Sequence, residues 1–335
     1  MRDHAARVRT GLVSSNSTRS NQADLRIHVT LDHLKSMEGH VRSLRLLPSK
    51  QPSSSVLNGR HASRLRGRGL NFEELRGYLP GDDPRTIDWK VTARTGEPHV
   101  RVYSEERDRP TLVVVDQRMS MFFGTRHAMK SVTAAEAAAL IVFRVLDQGD
   151  RIGGIVFGDE LLSEVRPRNS RNACHRLLCA LERANRMLKA DALIGHEPMG
   201  LNQPLSMVAR IAKRDHLVVI LSDFDGIDDR TETLVAGIAR RNDVILCPIT
   251  DPISQEIPND LKIVVSDGEL QVELDTTHGD VRKRLETFSK GRLADLLNWQ
   301  KRFGLIVLPL SAGEETLSQL RLLTGGAPQK RRPDL

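Results

Sequence analysis

The chain has 335 residues, a formal net charge of +7 at pH 7 and three cysteines. This length is enough for one large α/β domain with a small accessory domain, and the apolar content is that of a globular protein. Although the chain is basic, its Lys and Arg residues are interleaved with acids and aromatic residues are scarce. That pattern does not favour a nucleic-acid interface.

The cysteines and the apolar runs predict a cytoplasmic protein that is not inserted in a membrane. Cys174, Cys179 and Cys247 form an odd set without a Cys-x-x-Cys motif, which is typical of a reducing compartment. The best membrane candidate, residues 134–146, contains two charged residues and is shorter than the roughly 18 to 20 apolar residues that a membrane helix needs. No apolar core follows the N-terminal arginines, so a signal peptide is not expected.

The first 59 residues predict a tail, a helix and a linker. Residues 1–24 are rich in Ser, Asn, Thr and Arg, which is typical of a disordered segment. From Leu25 to Leu47 apolar residues recur at intervals of three to seven, which predicts an amphipathic helix. Residues 51–59 form a Pro/Ser linker.

Residues 60–108 contain the most informative segment of the chain, which runs from Gly67 to Trp89. Tight turns are expected at Pro80-Gly81 and at Asp83-Pro84, because proline fixes φ and glycine accepts positive φ. Asp82 and Asp83 are expected to accept backbone N–H bonds.

The same segment predicts an ion pair and a strand. Arg85 offers a planar fork for a carboxylate such as Asp88. The residues Ile87-Asp88-Trp89 are expected to enter a strand. The segment is therefore interpreted as a rigid loop in a small β-rich subdomain.

These residues, continued through Arg107, resemble the signature of the family of domains of unknown function 58 (DUF58). The family pattern is Gly-x-Gly-x-Glu-Phe, Arg-x-Tyr, Gly-Asp-Asp-x-Arg-x-Ile-Asp-Trp and Ala-Arg, and about forty residues of this chain follow it. Asn71 stands where the pattern has glutamate. The resemblance implies a C-terminal von Willebrand factor A-like domain.

From Thr111 onwards short apolar strands alternate with helices. Strands are expected at residues 112–115, 152–157, 161–165 (an antiparallel edge), 217–221, 244–249 and 305–308. Helices are expected at about residues 130–147, 170–188, 231–241 and 281–303, and a hairpin at residues 263–265 and 270–274. This order predicts a doubly wound, mainly parallel α/β sheet of the von Willebrand A or Rossmann-like class over residues 109–325, followed by a disordered tail at 326–335.

Two acidic residues follow strands of the predicted sheet. In an open α/β sheet, ligands bind beyond the carboxyl ends of the strands, where Asp116 and Asp223 are expected. The resemblance implies a metal site there, with Asp-x-Ser-x-Ser in one loop, Thr in a second and Asp in a third. Asp116, Ser120 and Asp223 match this pattern as metal ligands, and Asn202 is the nearest candidate in the second loop.

Arg118 occupies the middle hydroxyl position of that motif. A guanidinium about 4 Å from a divalent cation is repelled by roughly 8 kcal/mol at an effective dielectric constant near 20. We therefore expect no cofactor, and Mg²⁺ is the one cofactor that the sequence leaves possible. We hypothesise that the guanidinium replaces the metal and pairs with Asp116 or Asp223. The alternative is that Arg118 faces solvent and Asp116 caps the next helix.

No hydrolase elbow, phosphate-binding glycine loop or His-Glu metalloprotease motif occurs in the sequence. The resemblance implies a non-catalytic protein-interaction adaptor that partners a MoxR-type AAA+ ATPase and acts on client proteins in chaperone-like maturation or remodelling in bacteria. The alternative is a metal-dependent hydrolase that acts at the edge of the sheet. The residues expected to bind the partner are Asp116, Arg118, Ser120 and Asp223, with a second face at Asp82, Asp83 and Arg85.

Overall fold

The computed structural model describes residues 24–44, 70–105, 109–160, 162–189, 199–254, 262–266, 271–275 and 279–324. The chain forms two compact units, a smaller one of residues Leu47–Asp108 and a larger one of Met1–Leu46 with Arg109–Leu335. The tails predicted at the two chain ends and the predicted linker at 51–59 lie outside the described residues.

The described N-terminal segment belongs to the larger unit. Helix α1 (Leu31–Ser36) is capped by the hydroxyl of Thr30, and a 3-10 helix follows over Met37–Ser43. The predicted helix is therefore present but shorter than residues 25–47, and Gly39, a weak helix former, lies where the α-helix has ended. The segment buries Leu34, Val41 and Leu44.

The smaller unit is a hairpin with a short helix in its connection. Strands β1 (Leu70–Gly77) and β2 (His99–Glu105) pair antiparallel, and α2 (Trp89–Thr95) lies between them in the chain. The strand predicted at residues 87–89 is wrong. The carboxylate of Asp88 accepts hydrogen bonds from the backbone N–H groups of Lys90 and Val91, so it caps a helix that begins at Trp89.

The loop of this unit is fixed by aspartates that accept backbone N–H bonds, as the sequence predicted: Asp82 accepts from Leu79 and Asp83 from Arg85, each at 2.9 Å. Asp82 accepts two hydrogen bonds of 2.8 Å from the guanidinium of Arg76, and Asp83 caps the 3-10 turn Pro84–Thr86. The expected pair between Arg85 and Asp88 is wrong, because Asp88 instead takes the guanidinium of Arg101 at 2.6 Å.

The larger unit contains the remaining elements. Its strands are β3 (Thr111–Asp116), β4 (Ile152–Phe157), β5 (Leu162–Arg168), β6 (Leu217–Ser222), β7 (Asp243–Thr250), β8 (Lys262–Ser266), β9 (Gln271–Asp275), β10 (Ile306–Val307) and β11 (Leu310–Ser311). Its further helices are α3 (Lys130–Asp147), α4 (Arg171–Met187), α5 (Asn202–Ile211), α6 (Asp229–Ala239), α7 (Gly279–Phe303) and α8 (Thr316–Leu323).

The central sheet has the strand order β10-β7-β6-β3-β4-β5, with β11 also beside β7. All pairs in it are parallel except β4 with β5, which is antiparallel. This confirms the predicted α/β class, including the antiparallel edge. The predicted hairpin is also confirmed, as β8 paired with β9.

Helices cover both faces of the sheet. On one face α5, α6 and α7 contribute Leu205, Val235 and Leu296 to a core shared with β3 and β6. On the other face α3 packs on β3 and β6, α4 packs on β4 and β5, and α1 and α8 pack on α3. Because both faces are covered, β3, β4 and β6 are buried along their whole length.

Strand β4 packs closely on its neighbours at its two glycines. A Cβ atom at Gly153 would lie 2.5 Å from the backbone oxygen of Val165 in β5. A Cβ atom at Gly154 would lie 2.7 Å from the Leu177 side chain in α4. Any side chain here would therefore push the antiparallel edge strand or α4 away.

The strand order sets the place of a site. From the central strand β3 the chain proceeds to β4 on one side, and β6 lies on the other side. The chain direction thus switches between β3 and β6, and the loops after these two strands diverge to opposite faces. A crevice forms at such a switch, at the carboxyl ends of the strands.

Candidate functional site

Asp116 and Asp223 lie together at the switch point. Asp116 is the last residue of β3, and Ser222, the last residue of β6, precedes Asp223. Because β3 and β6 are adjacent and parallel, the two carboxyl ends meet at one edge of the sheet. The predicted convergence of the two acidic residues is confirmed. Both are buried, Asp116 completely and Asp223 with 5% of its surface exposed.

The carboxylate of Asp116 accepts hydrogen bonds on both oxygens. Oδ1 accepts from the backbone N–H and the Nε of Arg118, at 2.9 and 3.1 Å. Oδ2 accepts from Nε and Nη2 of the same arginine at 3.1 and 2.8 Å, and from the hydroxyl of Ser222 at 2.6 Å. This is a buried, bidentate arginine–carboxylate pair, which is the strongest form of such a contact.

The Arg118 guanidinium is also held from other directions. Its Nη2 donates to the backbone oxygen of Asp225 at 3.2 Å and lies 3.8 Å from Oδ1 of Asp223, while the Phe157 ring centroid is 5.7 Å from its central carbon. Burial by itself would lower the pKa of Arg118, but the carboxylates of Asp116, Asp223 and Asp225 outweigh burial and raise the pKa above its ordinary value. Arg118 therefore keeps its positive charge at any physiological pH.

One nitrogen of this guanidinium is left over. Within the described part of the chain, Nη1 of Arg118 makes no hydrogen bond, whereas Nε and Nη2 together make four, with acceptors on Asp116 and Asp225. The side chain keeps 9% of its surface exposed. A donor in a fixed position is thus available to a ligand at the edge of the sheet.

The second carboxylate has its own cation. Oδ2 of Asp223 accepts from Nζ of Lys130, the first residue of α3, at 2.7 Å, and Oδ1 accepts from the Ser120 hydroxyl at 3.4 Å. Burial opposes ionisation of Asp223, but Lys130 and then Arg118 outweigh it and lower the pKa to about 2. The site therefore holds two carboxylates and two cations in alternation.

The loop after β6 has an unusual backbone. Phe224 has φ 55°, in the left-handed region, and is fully buried. An aromatic residue in this region costs about 1 to 2 kcal/mol. The conformation is held by the hydrogen bond from Phe224 N–H to Ser222 Oγ at 2.9 Å and by Arg292 of α7, which donates to the backbone oxygen of Asp223 at 3.1 Å.

Residues of the N-terminal segment help to hold the loop after β3. Asn185 of α4 donates to Oε1 of Gln117 at 3.0 Å and accepts from the backbone N–H of Val29 at 2.9 Å. The His28 ring stacks on Phe122 at a centroid distance of 5.6 Å. Residues about a hundred positions earlier in the chain therefore help to hold the site loop in place.

The structure decides between the two sequence-based expectations for Arg118. The alternative in which Arg118 faces solvent and Asp116 caps a helix is wrong, because Arg118 is 7% exposed and Asp116 bonds its guanidinium. Asn202, the second-loop candidate, is also not at this site. It begins α5 and instead bonds Asp228 and Thr231, at 3.0 and 2.8 Å. Asp228 caps α6.

The donor set does not fit a divalent cation of the kind that the resemblance implies. Mg²⁺ requires about six oxygens at about 2.1 Å. Here the oxygens of Asp116 and Asp223 already accept from Arg118, Lys130 and hydroxyl groups. Among the described residues no group of three or more His, Cys, Asp and Glu side chains is arranged to hold a metal.

Several residues of the site escaped the sequence analysis. They are Lys130, Ser222, Phe224 and Arg292. Lys130 had a usable signal, because a lysine at the first position of a helix opposes the helix dipole and therefore calls for a nearby carboxylate. Arg292, 69 residues after Asp223, had no signal in its local sequence.

The predicted second face lies in the smaller unit. The carboxylate of Asp82 is engaged by Arg76, which lowers its pKa through hydrogen bonding. Asp83 caps the 3-10 turn, and Arg85 is exposed. A role of these three residues in partner binding stays a prediction.

A family model described as "Protein of unknown function DUF58" matches residues 74–294. The chain belongs to the DUF58 family. Uncharacterized proteins of Mycobacterium tuberculosis and Mycobacterium bovis are each 34% identical to it over 227 residues, which cover 67% of this chain and 68% of theirs. The family that the signature residues predicted is thereby confirmed.

Solved structures that resemble this DUF58 chain include von Willebrand A domains. The SpRpn10 VWA domain is 10% identical with a TM-score of 0.36, and the alignment covers 64% of this chain and 94% of that chain. A von Willebrand factor type A protein from Catenulispora acidiphila is 13% identical with a TM-score of 0.30, covering 56% and 44%. At such scores the fold assignment rests on the strand order itself.

None of the helices that the structure describes is long and apolar enough to cross a bilayer.

Proposed function

We propose that this DUF58 chain is a non-catalytic adaptor in the cytoplasm, and that it binds a carboxylate of a partner protein at the carboxyl edge of its sheet. The observation that carries the proposal is the Arg118 guanidinium, which Asp116 holds by Nε and Nη2 while Nη1 makes no hydrogen bond within the described residues. A guanidinium that is already fixed loses little side-chain entropy when it binds a second carboxylate.

The charges of the site support a role without a metal. Arg118 and Lys130 together supply two positive charges beside Asp116 and Asp223. This equals the charge of the divalent cation that the resemblance implied. The proposal therefore includes that the site needs no Mg²⁺ and that its positive group for the partner is the arginine.

We propose a MoxR-type AAA+ ATPase as the partner, with chaperone-like maturation or remodelling of client proteins as the joint task. This part rests on what the resemblance to the DUF58 family implies. Asp116, Arg118, Ser120 and Asp223 would form the contact surface, and Asp82, Asp83 and Arg85 a second one.

The alternative, a metal-dependent hydrolase, would need a carboxylate that is free to act as a base or to hold a metal. Asp116 and Asp223 each bind a cationic side chain instead. No contact in the described residues favours the hydrolase over the adaptor.

The metal-free part of the proposal is tested by calorimetric titration with MgCl₂ and MnCl₂. We expect no binding by the wild type at micromolar concentrations, and measurable though weak binding by Arg118→Ser, which restores the hydroxyl and removes the repulsion. Circular dichroism of the variant checks that it is folded. Micromolar binding by the wild type would contradict the proposal.

The partner is tested by purifying the tagged chain from its native cell and identifying bound proteins by mass spectrometry. We expect an AAA+ ATPase with the wild type and much less of it with Arg118→Gln. The control is Arg241→Gln, an exposed arginine that precedes β7 at the opposite, amino-terminal edge of the sheet. Equal recovery with all three proteins would place the contact elsewhere.

A further inference from the structure

A groove of ≈ 440 Å³ lies on the larger unit beside α5, and its described lining residues do not include Arg118, Asp116 or Asp223. One face of α5 belongs to the core through Leu205 and Val208. Another stripe of the helix, Asn202, Ser206 and Arg210, lines the groove at a spacing of four residues. The volume is within the range of about 300 to 1,000 Å³ that is usual for ligand sites.

Part of the groove wall is apolar. Leu162, Met199 and Met207 line it, and all three are partly exposed side chains that pack against the core cluster. Methionine side chains are flexible and adapt to different apolar surfaces. The wall can therefore accept an apolar side chain without a preformed shape.

Two arginines complete the lining. Arg210 and Arg230 are exposed, and in the part of the chain that the structure describes neither forms an ion pair. By contrast, Arg302, which lies on the same side of the sheet, is paired with Glu232. Among the described residues that line the groove two are cations and none is an acid, and the neighbouring Asp228 carboxylate is engaged by Asn202 at 3.0 Å.

We infer that this groove binds a peptide segment of a partner protein that carries Glu or Asp next to apolar residues. The acidic side chains pair with Arg210 and Arg230, and the apolar ones contact Leu162, Met199 and Met207. The two arginines select an acidic ligand. The apolar wall selects a peptide over a nucleic acid, because no described residue of the lining is an aromatic on which a base could stack. This goes beyond the proposed function, since the groove shares no residue with the Arg118 site.

The test is a selection of random 12-residue peptides displayed on phage against the whole protein. A selected peptide is labelled with fluorescein, and its binding is measured by fluorescence anisotropy. We expect a consensus that combines Glu or Asp with Leu, Met or Phe. We expect about fivefold weaker binding by Arg210→Gln/Arg230→Gln, because exposed ion pairs contribute modestly. A peptide in which Gln replaces Glu is expected to bind the wild type more weakly by a similar factor.

The matched control is Arg240→Gln/Arg241→Gln, which removes the same charge from the other end of α6 and is expected to leave the affinity unchanged. Arg230→Gln alone is the second variant. This substitution removes a cation from the first turn of a helix, where the helix dipole disfavours positive charge, so the variant is expected to fold. Its affinity for the peptide is expected to be about twofold weaker. A selection without an acidic consensus overturns the inference. So does equal affinity for all variants, or displacement of the peptide by a 20-base-pair DNA duplex.

Discussion

The Arg118–Asp116 pair is buried, and its two members do not contribute independently to stability. A buried ion pair gains little over a neutral pair, but removing one partner leaves an unpaired charge and costs about 3 to 5 kcal/mol. Asp116 has no exposed surface, so it cannot recover its hydration when the guanidinium is removed.

We therefore predict that Arg118→Met lowers the free energy of unfolding by about 3 kcal/mol. The double variant Asp116→Asn/Arg118→Met should lose less than Arg118→Met alone, because no buried charge is left without a partner. Urea denaturation at pH 7 measures both. Equal or additive losses would show that Asp116 is not charged in the folded protein.

Asp223 makes the stability depend on pH in the acid range. Its pKa is lowered from 3.8 to about 2 in the folded chain, so the folded state binds the proton less readily than the unfolded state does. The resulting stabilisation of about 2 kcal/mol is fully present above pH 5 and is lost as the pH falls through 3.8 towards 2.

The measurement is the free energy of unfolding of wild type and Asp223→Asn between pH 6 and pH 2.5. We expect the difference between the two proteins to shrink by about 2 kcal/mol over this range. Carboxylates remote from the site titrate alike in both proteins and cancel, whereas the pKa of Asp116, which burial and also Asp223 raise, differs between them and contributes to the difference. A difference that stays constant with pH would mean that Lys130 and Arg118 do not hold Asp223 ionised.

The sequence predicted the acidic half of the site and its central arginine. Asp116, Ser120 and Asp223 follow a known spacing, and Arg118 stands inside that motif, so local sequence was sufficient. Lys130 and Arg292 reach the site only because the strand order places α3 and α7 there. The left-handed backbone of Phe224 was not predicted, because one of the contacts around it comes from Arg292, which is distant in the sequence.

At the scale of elements, two glycines allow a direct test of packing. Gly153 lies where a Cβ atom would meet the backbone of β5, whereas Gly237, inside α6, has no atom within 4 Å of such a position. We predict that Gly153→Ala destabilises the protein by about 1 to 3 kcal/mol through overpacking.

The same substitution at Gly237 should stabilise the protein by about 0.5 to 1 kcal/mol, because alanine is the better helix former. Thermal unfolding followed by circular dichroism compares the two. Changes of the same sign would mean that the close approach of β4 and β5 at Gly153 does not limit the size of the side chain.

Strands and helices were predictable to different degrees. The apolar runs of β3, β4 and β6 identify buried strands without ambiguity, and the two ends of α3 agree with its sequence pattern. Helix α5 was not predicted, because Asn202, its first residue, was assigned to the second loop of a metal site. Helix α2 was not predicted, because residues 87–89 were expected to enter a strand; Trp89, its first residue, is 68% exposed.

At the scale of the whole molecule, the site loop and the N-terminal segment depend on each other. Asn185 connects them through Gln117 and the backbone of Val29. We predict that Asn185→Leu raises amide hydrogen exchange in both residues 24–44 and residues 117–130, because it leaves buried polar groups on both sides without a partner.

Asn242→Leu provides the control. Asn242 is also buried and bonds the backbone oxygens of Ala212 and Ile238 near the amino-terminal edge of the sheet. It should destabilise the protein to a similar extent without a selective increase at residues 117–130. Faster exchange at residues 24–44 alone in Asn185→Leu would mean that the segment does not support the loop.

The position of the N-terminal segment also bears on how the chain folds while it is made. A bond joins His28 to the backbone of Asn185, 157 residues later. At about 5 to 20 residues per second, a ribosome needs roughly ten to thirty seconds to synthesise that distance. During this interval Leu34, Val41 and Leu44 have no completed surface on which to be buried, so the nascent chain exposes them to water and to any chaperone at the exit tunnel.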